Sequence, residues 1–118
     1  MNKILALLLY ISSVVFSKNL VIVVSFDGFR YDYLDLVETE YFNYIKTEGT
    51  HAESLIPVFP SLTFPNHYSI ATGSYANKHN ITGNTFYNKS TNSTYSLRNR
   101  ISVEDKDYYY SEPIWVTA

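Results

Sequence analysis

The sequence predicts an α/β fold, on three observations. Leu20 to Val24 is an unbroken apolar, mostly β-branched run bounded by Asp27-Gly28, the pattern of a strand buried on both faces. From about Tyr31 to Thr47 the apolar positions Leu34, Phe42 and Ile45 recur among acids and tyrosines at spacings an amphipathic helix tolerates. His51 to Val58 then reads as a second strand, so strand and helix alternate as in a βα unit.

The elements follow in order. The strand from Leu20 is the expected first, central one, and leaves Asp27 at its carboxyl end, where open α/β sheets bind ligands. Gly49 stands where the first helix should stop, and Pro57-Val58-Phe59-Pro60 stops the second strand. Pro65 is placed to open a helix at Thr63 that runs to Gly73. Between Ser74 and Asn99 the composition turns to Asn, Ser, Thr and Tyr, which predicts loops and a short hairpin. Asp105 to Tyr110 is polar and aromatic without a period, and Pro113 starts what looks like a first helical turn in Glu112-Pro113-Ile114-Trp115.

Residues 1–17 read as a secretory leader. Lys3 gives a basic start, Ile4 to Phe16 is mostly apolar, and Val15-Phe16-Ser17 offers a cleavage site, so the mature chain is expected to begin near Lys18. A membrane anchor or buried strand is the alternative, but the run is short for a bilayer span, and no later apolar stretch is long enough to act as an anchor. The chain has no cysteine, which excludes disulfides and thiol chemistry within it. Three tripeptides, Asn80-Ile81-Thr82, Asn88-Lys89-Ser90 and Asn92-Ser93-Thr94, are glycan acceptors in an exported protein. The net charge of −2 and the lack of any Lys/Arg cluster argue against a nucleic-acid duplex as partner.

The chemistry concentrates in two segments, Ser25-Phe26-Asp27-Gly28-Phe29-Arg30 and Thr63-Phe64-Pro65-Asn66-His67-Tyr68. Asp27 offers a hard carboxylate for a metal, and Gly28 lets the backbone turn sharply to aim it. Thr63 offers a hydroxyl beside backbone N–H groups expected to be unpaired and to attract an anion. A threonine hydroxyl is a poor nucleophile unless a metal or base activates it, and a metal on Asp27 would do so while another neutralises phosphoryl charge. Each residue also has a plainer role, Asp27 as a turn former and Thr63 as a helix cap. One carboxylate does not hold a catalytic zinc, and the only nitrogen donors, His51, His67 and His79, lack a ligand spacing. The plain role of Asn66 and of His67 is to bond to nearby backbone, and for His67 that role is the expected one. Asn84 is either a turn residue or an amide donor to a phosphoryl oxygen.

Taken together, Val24-Ser25-Phe26-Asp27-Gly28-Phe29-Arg30, the stretch from Phe59 to Gly73, and His79-Asn80-Ile81-Thr82-Gly83-Asn84 resemble the amino-terminal part of the ectonucleotide pyrophosphatase/phosphodiesterase family, in the alkaline phosphatase superfamily. The resemblance implies an α/β fold with a central, mostly parallel sheet flanked by helices, of which residues 18–118 are the amino-terminal portion of a truncated catalytic domain. It implies two zinc ions, Asp27 and Thr63 as ligands of one of them, and Thr63 as the nucleophile that forms a covalent intermediate. It places Asn84 on the phosphate, with Phe64 and Tyr87 near the leaving or retained group. The implied activity is zinc-dependent hydrolysis of phosphodiester or pyrophosphate bonds, on a small-molecule nucleotide or related diester, by a secreted enzyme. The family's remaining metal ligands are absent from these residues. Alternatives are a catalytically inactive secreted glycoprotein, or a lipid-phosphodiester or phosphomonoester hydrolase of the same superfamily. Leu62, Asn80 and Asn88 depart from residues frequent in the family, namely Lys, Gly and Asp.

Overall fold

The computed structural model describes residues 20–118. The expected leader lies outside them. The element order is α1 (Tyr33–Leu36), α2 (Glu40–Glu48), α3 (Thr63–Thr72), α4 (Ala76–His79), β1 (Thr85–Asn88), β2 (Ser93–Ser96), α5 (Arg100–Glu104), a 3-10 turn (Lys106–Tyr108) and α6 (Ile114–Thr117).

The expected helix over Tyr31–Thr47 is two helices. Val37 adopts an extended conformation (φ −136°, ψ 123°) and Thr39 is extended too, so α1 stops and α2 starts afresh. Both are β-branched residues, which give up side-chain freedom in a helix and favour extended backbone. The helix does end at Gly49, whose N–H bonds the Ile45 carbonyl at 2.9 Å.

No parallel sheet occurs among the described residues. Their only sheet is the antiparallel pair β1–β2, in which Thr85 faces Ser96 and Asn88 faces Ser93. Leu20–Ser25 has no strand pairing and is exposed, Leu20 at 85% and Val24 at 66%. His51–Val58 is likewise unpaired. A β-branched run becomes a strand only when a neighbour accepts its ladder bonds, and a parallel neighbour must arrive through a crossover connection. The described residues bring none alongside.

The core sits instead in the second half and is built from tyrosines. Tyr68, Ile81, Tyr95 and Tyr108 are buried, with Phe64, Phe86, Val103 and Tyr109 packed against them. Tyr95 stacks between Phe64 at 5.7 Å and Phe86 at 5.1 Å, and Tyr108 meets it edge-on at 5.2 Å. Such pairs contribute about 0.5–1.5 kcal/mol each beyond the area they bury. A phenol can enter a core only if its hydroxyl finds a partner. Tyr68 donates to the Ser111 carbonyl at 2.7 Å, Tyr109 to the Val103 carbonyl at 2.8 Å, and Tyr108 shares a bond with Ser93 Oγ. Burial, with Tyr109 alongside, pushes the Tyr95 phenol far above its ordinary range. These contacts fasten α3 to the hairpin and to the 106–111 segment, which fixes the start of α3 in space.

Candidate active site

Asp27 and Gly28 form a turn, Gly28 in the left-handed region at φ +65°, where a side chain would be strained. The turn is held by flanking aromatics: Phe26 and Phe29 pack on each other at 5.5 Å and on Phe42 of α2 at 5.8 and 6.1 Å. Thr63 is the first residue of α3, after an extended Leu62 that offers no side-chain cap. Its hydroxyl therefore does not cap its own helix. It points at Asp27 Oδ2, 3.4 Å away, longer than an ordinary O–H···O bond.

The first turn of α3 is held on several sides. Asn84 Oδ1 accepts the Phe64 N–H at 3.0 Å, and Asn66 Oδ1 accepts the Val58 N–H at 3.0 Å, which ties the incoming segment to the helix. His67 donates Nδ1–H to the Thr63 carbonyl at 2.7 Å. His67 thus makes the backbone bond expected of it, and Asn66 takes the backbone role as well. The expectation of several free N–H groups at this helix start needs correcting. Phe64 N–H goes to Asn84, Pro65 has none, and Asn66 N–H bonds the Leu62 carbonyl. The Thr63 amide alone is left in that turn without a partner among the described residues.

His79 is not available to a metal. It is fully buried, its Nδ1 accepts the Ile81 N–H at 3.1 Å, and its Nε2–H donates to Ser69 Oγ at 2.9 Å. Ser69 in turn donates to the Pro65 carbonyl at 2.8 Å. Burial holds the imidazole below its ordinary pKa and so keeps it neutral. The stretch 79–84 therefore grips the first turn of α3 twice, at Pro65 through His79 and Ser69 and at Phe64 through Asn84. Sequence reading treated His79 only as a candidate ligand. Its i+2 relation to a backbone amide was the one local hint, since Ser69 is distant in the chain.

A cleft of about 750 Å³ opens over this region, lined among others by Asp27, His51, Glu53, Thr63, Asn66 and His67. A second cavity of about 580 Å³ lies beyond Phe64, toward Tyr109, Tyr110 and Trp115. The structure thus brings Asp27 and Thr63 together, with Phe64 and Asn84 beside them. Tyr87 stands apart: it is exposed on β1, and its hydroxyl donates to Asn92 Oδ1 in the hairpin turn. Asn80 is half-buried, Asn88 buried and Asn92 exposed. Among the described residues no three His, Cys, Asp or Glu side chains converge as a metal cage.

An exposed hydroxyl aimed at a carboxylate, at a helix start over an open cleft, is an arrangement found in hydrolases that form an ester on a side chain. Residues 21–118 match the type I phosphodiesterase / nucleotide pyrophosphatase family, and the chain belongs to it. It is 40% identical over 97 residues to human ectonucleotide pyrophosphatase/phosphodiesterase family member 5, covering 82% of this chain and 20% of that protein. It is 45% identical over 100 residues to a mouse protein named bis(5′-adenosyl)-triphosphatase enpp4, covering 81% of this chain and 21% of that one. The fold matches a solved murine ectonucleotide pyrophosphatase/phosphodiesterase 5 with a TM-score of 0.73 at 38% identity, over 79% of this chain and 25% of that chain. That structure is an inactive threonine-to-alanine variant in complex with AMP. The chain spans about a fifth of the length of these curated relatives.

Proposed function

We propose that the protein hydrolyses phosphodiester or pyrophosphate bonds of nucleotides or related diesters, outside the cell, with Thr63 as nucleophile and zinc as cofactor. The observation that carries this reading is the 3.4 Å approach of Thr63 Oγ1 to Asp27 Oδ2 at the start of α3. A carboxylate oxygen and a hydroxyl oxygen at this separation, both facing the open cleft, would be able to share one ion. The murine relative that is inactive when a threonine becomes alanine, and that holds AMP, supports the same assignment. Asp27 and Thr63 would hold one zinc of the pair, and His79, with both ring nitrogens engaged, would hold neither. The chemistry that bound zinc supplies is Lewis acidity, lowering the hydroxyl's hold on its proton and neutralising phosphoryl charge.

The chain's own residues supply geometry. Thr63 Oγ attacks phosphorus, the bond from phosphorus to the leaving group breaks in line, and water later cleaves the threonyl ester to restore the hydroxyl. Asp27 Oδ2 lies 3.4 Å from Thr63 Oγ1, a carboxylate within reach of the proton the hydroxyl would give up. With its Oδ1 held by Phe64 N–H, Asn84 keeps its NH₂ as a donor for a phosphoryl oxygen. The Thr63 amide adds a second donor at the positive end of the helix. Phe64 forms one wall of the aromatic cavity that would receive a planar leaving or retained group.

The test uses the full gene product with a nitrophenyl nucleotide diester. Thr63→Ala is expected to lower turnover at least about 10³-fold, and a chelator to abolish it until zinc is returned. Full activity in Thr63→Ala would overturn the mechanism.

A further inference from the structure

We infer that, of the three acceptor tripeptides, the folded protein carries an N-linked glycan on Asn92 alone. The inference rests on the reading that the chain is exported, and on the geometry of three side-chain nitrogens. A glycan needs its asparagine Nδ2 at the surface, because the first sugar is bonded to that atom.

Asn88 fails this requirement. It is 6% exposed, its Oδ1 accepts the Ser90 N–H at 2.9 Å, and its Nδ2 is sealed from solvent without a partner. The Ser90 bond fixes which end of the amide is which, so turning it over would face oxygen, not N–H, to the interior and break the turn. Asn80 fails as well: its Nδ2 is also sealed and unpartnered. It sits at the left-handed end of α4, φ +66°, between fully buried His79 and fully buried Ile81. A sugar at either position would have to displace part of the packed core.

Asn92 meets the requirement. It is exposed in the turn between β1 and β2, and its Oδ1 is held by the Tyr87 hydroxyl, which leaves Nδ2 facing away from that contact. Tyr87 is itself 57% exposed and lays an open aromatic face beside the attachment point. Neither Asn92 nor Tyr87 lines the Thr63 cleft, so a glycan here leaves the cleft clear. In the modification, Asn92 Nδ2 bonds to the anomeric carbon of a polyprenyl-diphosphate-linked oligosaccharide. The bond from that carbon to the diphosphate oxygen breaks, the polyprenyl diphosphate leaves, and the amide proton passes to a base of the transferase.

The experiment expresses the full gene product with its own leader in insect cells. Protein from the medium is treated with peptide N-glycosidase in ¹⁸O-water, and its peptides are mapped. Of the three acceptor sites, the heavy Asn-to-Asp mark is expected at Asn92 only. Thr94→Ala, which keeps Asn92 and its turn but removes the acceptor signal, is expected to lose one whole glycan mass, while Thr82→Ala and Ser90→Ala lose none. A mark at Asn80 or Asn88, or an unmarked Asn92 in secreted protein, would overturn the inference alone. Protein found only inside the cells and unmarked would overturn export and the glycan together, and activity plays no part in either result.

Discussion

His79 offers the sharpest test of how the first turn of α3 is held. Replacing it by alanine strips the Ile81 N–H of its acceptor and Ser69 Oγ of its donor in a wholly buried pocket. An orphaned buried N–H costs about 1–3 kcal/mol, and deleting a buried ring adds a cavity, so the total expected for His79→Ala is about 3–5 kcal/mol. His79→Asn keeps an oxygen able to accept from the amide two residues on and should cost less, about 1–3 kcal/mol. Acid should act on the same bonds, because a proton on Nδ1 would meet the Ile81 N–H head-on. Burial lowers the folded pKa below the ordinary 6.5. The His79 contribution is therefore complete above pH 6.5 and is lost as pH falls through the folded value. In that window the unfolded chain binds one proton more, so stability falls by up to about 1.4 kcal/mol per pH unit. Urea denaturation of the full gene product at a series of pH values reads this directly. Wild type should lose stability on acidification more steeply than His79→Ala, by close to that slope. Equal slopes in the two proteins would refute the idea that a neutral, buried His79 fastens the turn.

Two further predictions follow from the same packing. Ile81→Ala removes a side chain with no exposed surface from among Tyr68, Tyr95 and Tyr108, and should cost about 2–5 kcal/mol in the same denaturation assay. Asn84→Ala frees the Phe64 N–H and removes the amide donor. It should lower kcat for the chromogenic diester at least about tenfold while costing only about 1 kcal/mol of stability, and an unchanged kcat would remove Asn84 from the site.

Much of the site was readable one segment at a time. The Asp27-Gly28 turn, the helix opening at Thr63 and closing at Gly73 (φ +61°), the helix stop at Gly49 and the hairpin within 74–99 follow from local rules about glycine, proline and turn formers. The break at Val37 was hidden because apolar spacing tolerates either one helix or two. The strands read into Leu20–Val24 and His51–Val58 have no ladder, since pairing belongs to two segments at once and apolar composition reports only one of them. Tyr108 and Tyr109 looked like an aperiodic polar stretch, yet they fill the core, because a tyrosine's place depends on whether a distant group accepts its hydroxyl.

By itself the sequence determined which residues are the candidates for the proposed chemistry, since Asp27, Thr63 and Asn84 belong to motifs whose residue types and order are local facts. Only the tertiary structure decided that the Thr63 hydroxyl faces Asp27 instead of capping its helix, that Asn84 takes the Phe64 amide, and that His79 is a buried clasp and no ligand. The physical reason is that a side chain's partner is set by where packing places groups far apart in the chain, 36 residues for Thr63 and Asp27 and 20 for Phe64 and Asn84.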